Sequence, residues 1–118
     1  MSVSILRTAE AWWVQTASGA ARIGTDAATT AEVLADRGAI EDAAHSTATV
    51  PVESLKLLSP ATTPCRVVAQ ANNYASHVRD VGRDPAKTPL TFFRKASGSV
   101  IGPFDDIVKP PHVELLDY

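Results

Sequence analysis

Apolar positions along the chain change their rhythm near its middle. In the first half, "AWWVQTASGAARIG" (Ala11 to Gly24) sets β-prone residues on either side of a small polar pair. This predicts a hairpin turning at Ser18-Gly19. The segment "TAEVLADRGAIEDAAH" then predicts a helix. Thr29 and Glu32 have the spacing of a capping box, and Val33, Leu34 and Ile40 form its expected buried stripe. Gly38 interrupts this helix at a cost of about 1 kcal/mol relative to alanine. From Ser46 to Pro64, three prolines and several threonines predict a wrapping connection rather than a packed element. The expected organisation is an N-terminal lobe over residues 1–63 and a second domain that starts over residues 64–118.

The second half reads as strands. "CRVVAQ" (Cys65 to Gln70) is a short apolar run suited to a buried strand, and "LTFFRK" (Leu90 to Lys95) is a second, placed between Pro89 and Gly98. "SVIG" and "DIVK" are shorter candidates, and "VELLDY" begins another strand-like run that reaches Tyr118. Between the first two strands, "YASHVRDVG" has room for about two helical turns ending near Gly82. The fold class expected is a β-rich α+β arrangement whose sheet is unfinished in this chain.

Composition narrows the partners. At 118 residues one domain is the natural expectation, and 45% hydrophobic with 20% charged residues is ordinary for a globular protein. A net charge of −2 and a pI of about 5.8 argue against nucleic acid, which needs a basic face. Neither a membrane span nor the apolar stretch of a signal peptide is expected. Cys65 is the single cysteine, so no internal disulfide is expected and a cytoplasmic location is the default.

Candidate chemistry centres on "NNYASHVRD". His77 and Asp80 stand three residues apart, which on a helix places both side chains on one face. A carboxylate beside an imidazole orients it and stabilises its protonated form, as a general base near neutral pH requires. The same spacing is common on solvated helices. Asn72, Asn73 and Tyr74 fall at a strand-to-helix junction, where asparagine can cap the helix. Lys95 closes an apolar strand just before Ala96, Ser97 and Gly98; it can face a substrate carboxylate or oxyanion, or snorkel at a sheet edge. His45 and His112 read as loop histidines, Asp105 and Asp106 suit either a cation or a turn, and Trp12-Trp13 suit a core or interface. No phosphate loop, CxxC pair, HExxH or G-x-S-x-G element is present.

Taken in order, "VVAQANNYASH", "PLTFFRK", "GSVIGPFDDIVKPP" and "VELLDY" resemble the start of the catalytic domain of the fumarylacetoacetate hydrolase family, over about Pro64 to Tyr118. The resemblance implies that family's mixed sheet, incomplete here. It implies that His77 activates a water or shuttles a proton with Asp80 as its partner, and that Tyr74 and Lys95 line the substrate site. Departures are an aspartate at position 80 where glutamate is frequent, Ser76 where aspartate is frequent, and Gly98-Ser99 where Ser-Ala is common.

In the family, residues beyond the L-D-Y segment hold Mg²⁺ or a similar ion (Mn²⁺, Ca²⁺), so the metal ligands are expected past Tyr118. Oxygen ligands around a hard cation suit chelation of a 2-oxo acid. The activity implied is C–C bond hydrolysis of a small acylpyruvate-type acid in aromatic-compound breakdown. Hydration, isomerisation or decarboxylation within the family is the alternative. The expected partners are an oxo-acid substrate and a second copy in a homodimer, and the chain alone is expected to be inactive. A non-enzymatic truncated relative serving oligomerisation or binding is the competing reading.

Overall fold

A computed structural model of the chain describes residues 2–115, which form an α+β arrangement with antiparallel sheets and short helices. Two units are distinguished: Met1–Pro60 with Ile101–Tyr118, and Ala61–Val100.

The first unit is built on a four-stranded sheet in the order β1 (Ser4–Arg7), β2 (Trp12–Thr16), β3 (Gly19–Arg22) and β4 (Thr49–Val50). The predicted hairpin forms as β2–β3, but Thr16 pairs with Gly19, so Ala17-Ser18 make the tip. Gly19 instead opens β3 at φ +140°, and a Cβ there would lie 2.4 Å from the Val50 carbonyl oxygen. Close approach of the β4 backbone is therefore what requires glycine. The apolar pattern did not anticipate β1, nor β4 inside the Pro-containing connection, because two to four residues are too few to display a period. The β1–β2 turn is tied by the buried Thr8 hydroxyl, which accepts from the Ala11 amide (3.2 Å) and Trp13 Nε1 (3.3 Å).

The expected single helix is two, α1 (Thr30–Ala35) and α2 (Arg37–Ala44). They part at Asp36 rather than at Gly38. Asp36 adopts φ −85°, ψ 65°, and its carboxylate accepts from the Ala39 amide as the N-cap of α2. An aspartate satisfying free amides favours a new helix start over continuation. The Thr29–Glu32 capping box is present. Glu32 Oε2 accepts from the amides of Ala28 (2.7 Å) and Thr29 (2.9 Å), which hold its carboxyl below the ordinary glutamate value. Val33 is buried and Ile40 half-buried, but Leu34 is exposed, because the break at Asp36 rotates the stripe away from one continuous face.

Trp12, Val14, Ala21, Ile23, Val33 and Ala43 form the core between the sheet and these helices. Burial of Val14, Ile23 and Val33 contributes roughly 1.5–3 kcal/mol each. Trp12 Nε1 donates to the Ala27 carbonyl (2.8 Å), so the core tryptophan leaves no orphan donor. Trp13 lies half-buried on the opposite face of the sheet.

The second unit carries an antiparallel pair, β5 (Val67–Gln70) and β6 (Phe92–Lys95), with α3 (Ala75–Asp80) between them in sequence. Both predicted strands exist, trimmed at their starts. The expectation of burial fails: β6 is exposed throughout and Val68 is 63% exposed, while Val78 of α3 is the one buried side chain among the described residues of this unit. Every strand pair is antiparallel, so the mixed sheet implied by the resemblance is not seen among the described residues. "SVIG" and "DIVK" are not strands. Ser97–Ser99 form a 3₁₀ turn, and residues 105–109 have no regular structure. Both runs offer too few apolar positions for pairing against an existing edge. Of "VELLDY", Val113 to Leu115 are not in a strand, and the remainder lies outside the described residues.

Gly19→Ala is expected to destabilise the chain by about 2 kcal/mol or more, from backbone strain and the clash with Val50. Urea unfolding measures this, and an unchanged midpoint would contradict the close approach. Glu32 has a lowered folded-state pKa, so its contribution is present above the unfolded value and lost as pH falls through the folded one. Thermal melts between neutral and acid pH should therefore fall more steeply for wild type than for Glu32→Gln; parallel curves would refute the box.

Candidate functional site

β5 delivers the chain into Ala71–Tyr74 and then α3. The ladder pairs Gln70 with Phe92 at this end and Val67 with Lys95 at the other. One rung further, the Ala71 amide donates to the Thr91 carbonyl (3.0 Å). The Asn73 carboxamide then takes the place of a backbone partner. Its Oδ1 accepts from the Thr91 amide (2.7 Å) and its Nδ2 donates to the Thr91 carbonyl (2.8 Å).

The expected helix-capping role of Asn72 and Asn73 is thus not what the structure shows. Tyr74 is the N-cap of α3, without a side-chain bond, and Asn73 is spent on β6. A carboxamide meets both needs of an exposed peptide unit, donor and acceptor, whereas a cap uses only its oxygen.

α3 stops where the sequence predicts. Gly82 at φ +73° donates to the Arg79 carbonyl (2.9 Å), and the Arg83 amide donates to the Val78 carbonyl (3.0 Å). This crossed pair closes the helix with a left-handed glycine. His77 and Asp80 both lie exposed on this short helix, with Val78 turned inward. They are not an ion pair. Among the described residues the one such pair is Lys87 Nζ with Asp84 Oδ2 at 3.8 Å. Tyr74 is 67% exposed and stands at the start of α3.

Lys95 ends β6 just before the Ser97–Ser99 turn, as its sequence context suggests. Its register puts it at the end of the ladder away from α3, and its Nζ lies 5.9 Å from the Phe93 ring centroid. The structure therefore places His77, Asp80 and Tyr74 together on one helix and its cap, and sets Lys95 at the opposite end of the strand pair.

The remaining sequence candidates are structural. Asp105 Oδ2 accepts from the Gly102 amide (2.7 Å) in a turn, and His45 Nδ1 bonds the Glu41 carbonyl (2.8 Å) at the end of α2. A carbonyl only accepts, so that imidazole nitrogen carries the proton. His112 is exposed in a turn after Pro111. Among the described residues no three His, Cys, Asp or Glu side chains gather where they could hold a metal ion. A hard divalent cation needs about six oxygen ligands, so these residues by themselves do not make its site.

No family model matches the chain, and no solved structure matches it. Curated proteins do. The mitochondrial oxaloacetate tautomerase of Bos taurus is 35% identical over 69 residues, which is 58% of this chain and 22% of that protein. Fumarylacetoacetate hydrolase domain-containing protein 2 of Pongo abelii is 33% identical over 69 residues, with the same shares of each chain. An uncharacterized protein of Pyrococcus horikoshii is 36% identical over 55 residues, 47% of this chain and 24% of its own. Over the matched stretch, the chain is similar to fumarylacetoacetate hydrolase domain-containing protein 2 and to the oxaloacetate tautomerases. It spans about a fifth of the length of the first of these relatives. The sequence resemblance to the fumarylacetoacetate hydrolase family thus has independent support over part of the chain.

Gly82→Ala tests how α3 is held. The added Cβ meets no atom within 4 Å, so the cost is backbone strain alone, about 1 kcal/mol. Gly38→Ala, inside α2 and equally uncrowded, should stabilise by about 0.5–1 kcal/mol. Urea denaturation of both variants checks the opposite signs, and shifts of equal sign would count against the assigned termini.

Proposed function

We propose that the chain is part of a fumarylacetoacetate hydrolase-type enzyme that moves a proton on a small 2-oxo acid, with keto–enol tautomerisation as its reaction. The observation that carries this reading is the similarity of more than half the chain to proteins named oxaloacetate tautomerases. The exposed imidazole of His77, on a helix pinned at both ends, supports it.

Tautomerisation balances without a co-reactant. The enol O–H bond breaks and its electron pair becomes the second bond of the C=O group, while the C=C π pair takes up a proton to form a C–H bond at the neighbouring carbon. An imidazole can accept the first proton and return one to carbon. In this reading His77 is the proton carrier, and Asp80, three residues on along the same short helix, is its partner. The Tyr74 hydroxyl lines the approach, and the Lys95 ammonium faces a substrate oxygen. Dependence on Mg²⁺, Mn²⁺ or Ca²⁺ rests on the family resemblance, with ligands outside the described residues. A homodimer rests on the family resemblance and a cytoplasmic location on the single cysteine; among the described residues, no helix is long and apolar enough to cross a membrane.

C–C bond hydrolysis of an acylpyruvate-type acid, as in aromatic-compound breakdown, is the second reading. It is favoured by the hydrolase-domain name of the Pongo abelii relative. The same imidazole would then activate water, and the products would be pyruvate and a carboxylic acid.

The test uses the protein encoded by the complete reading frame around these residues, assayed with a divalent ion. Loss of the enol absorbance of oxaloacetate should be accelerated, and His77→Ala should slow it by about 10²-fold or more with KM little changed. Pyruvate released from an acylpyruvate, with no effect on the enol, would replace tautomerisation by hydrolysis. No turnover of either substrate, or a wild-type rate for His77→Ala, would sink the assignment.

A further inference from the structure

We propose that Asn73 is a positioning residue that fixes α3, and with it His77, against the entry to β6. The functional part of this rests on the reading of His77 as the proton carrier. The clasp itself is geometric.

Antiparallel strands exchange two backbone bonds at each hydrogen-bonded pair. Beyond Gln70↔Phe92 the backbone of β5 supplies one more donor, the Ala71 amide, to the Thr91 carbonyl. The Thr91 amide finds its acceptor in Asn73 Oδ1 at 2.7 Å, and the same carboxamide returns a second donor to the Thr91 carbonyl at 2.8 Å. The chain between Gln70 and α3 is thereby released from the strand path while the ladder stays closed. Asn73 is also drawn in locally, its own amide donating to the Ala71 carbonyl (2.7 Å).

α3 has no side-chain cap at Tyr74 and only six residues, too few to hold a helix by propensity. Its N-terminal anchor is therefore the clasp two residues before its first turn, and its C-terminal anchor is Gly82. Neither aspartate nor alanine reproduces the clasp at neutral pH. An ionised aspartate accepts from the Thr91 amide but has no donor and sets its charge against the Thr91 carbonyl. A protonated carboxyl, with one donor and one acceptor, matches the carboxamide again.

The experiment follows the 118-residue chain by NMR. In Asn73→Ala, exchange of the Thr91 amide should rise about tenfold or more relative to wild type, and the His77 ring resonances should shift. Amides within β5 and β6 should keep their protection. Asn73→Asp should behave like Asn73→Ala at neutral pH. As pH falls and the new carboxyl protonates, its Thr91 protection should recover relative to Asn73→Ala at the same pH. A merely space-filling side chain would show no such recovery. Unchanged Thr91 exchange in Asn73→Ala, or a His77 ring that does not respond, overturns the proposal.

Turnover of the complete protein separates this from the proposed function. A fall in kcat for Asn73→Ala with KM retained supports positioning of a working His77. Full kcat with a lost clasp overturns the positioning role and leaves the function standing. An inactive wild type in which His77 still responds to Asn73 supports the structural link and removes the functional reading.

Discussion

The β5–β6 ladder is the constraint on which the candidate site depends, and it is a short one. Four backbone pairs run from Val67↔Lys95 to Gln70↔Phe92, and a two-stranded sheet of this size is marginal in water by itself. Both faces of β6 leave phenylalanine exposed, Phe92 at 56% and Phe93 at 41%, so little apolar burial supports it. What remains is hydrogen bonding, and the Asn73 carboxamide extends it past the last backbone rung. Every group with a proposed chemical role hangs from this ladder. Tyr74, His77 and Asp80 follow its β5 end, and Lys95 terminates β6.

The first unit is held together differently. Its sheet buries Trp12, Val14, Ala21 and Ile23 against Val33 and Ala43, and hydrophobic transfer supplies most of its stability. Polar groups there have structural tasks: Thr8 ties a turn, Asp36 starts α2, and Glu32 closes the capping box. A cation–ring contact there, Arg7 over Trp12 at 5.6 Å, is anchored because the guanidinium also donates to the Ser59 carbonyl at 3.2 Å. Stability and candidate chemistry are therefore carried by different parts of the sequence.

What could be read from sequence follows the same division. Local rules with a fixed spacing succeeded: the Thr29–Glu32 box, the β2–β3 hairpin and the left-handed stop at Gly82 each need only a few neighbouring residues. Features set by partners far along the chain were missed. Gly19 is required by Val50, thirty-one residues on, and Asn73 bonds Thr91 rather than the helix beside it. Asn73 illustrates the limit well, since the residue type was noticed and its partner was not. An asparagine before a helix is a cap by local statistics, and only the pairing of β5 with β6 presents a better acceptor and donor together. Apolar strands also misled about burial, because "LTFFRK" specifies a strand without specifying what covers it.

Lys95 is the member of the candidate set whose geometry needs the most explanation. Along β6, Phe92 and Lys95 are separated by about 10 Å of backbone, at about 3.4 Å per residue. A small substrate at the α3 end would lie beyond a lysine that stood upright from its strand. Its ammonium lies 5.9 Å from the centroid of Phe93, two residues back on the same face, close to the roughly 7 Å between neighbouring side chains on one strand face. A cation over an exposed ring is held by about 0.5–1 kcal/mol, enough to bias a flexible chain without immobilising it. Phe93 then has a reason to be aromatic that strand propensity does not supply. A lysine at this register would reach a site near His77 only by lying along the strand, and the ring of Phe93 is the neighbour its charge meets in that direction.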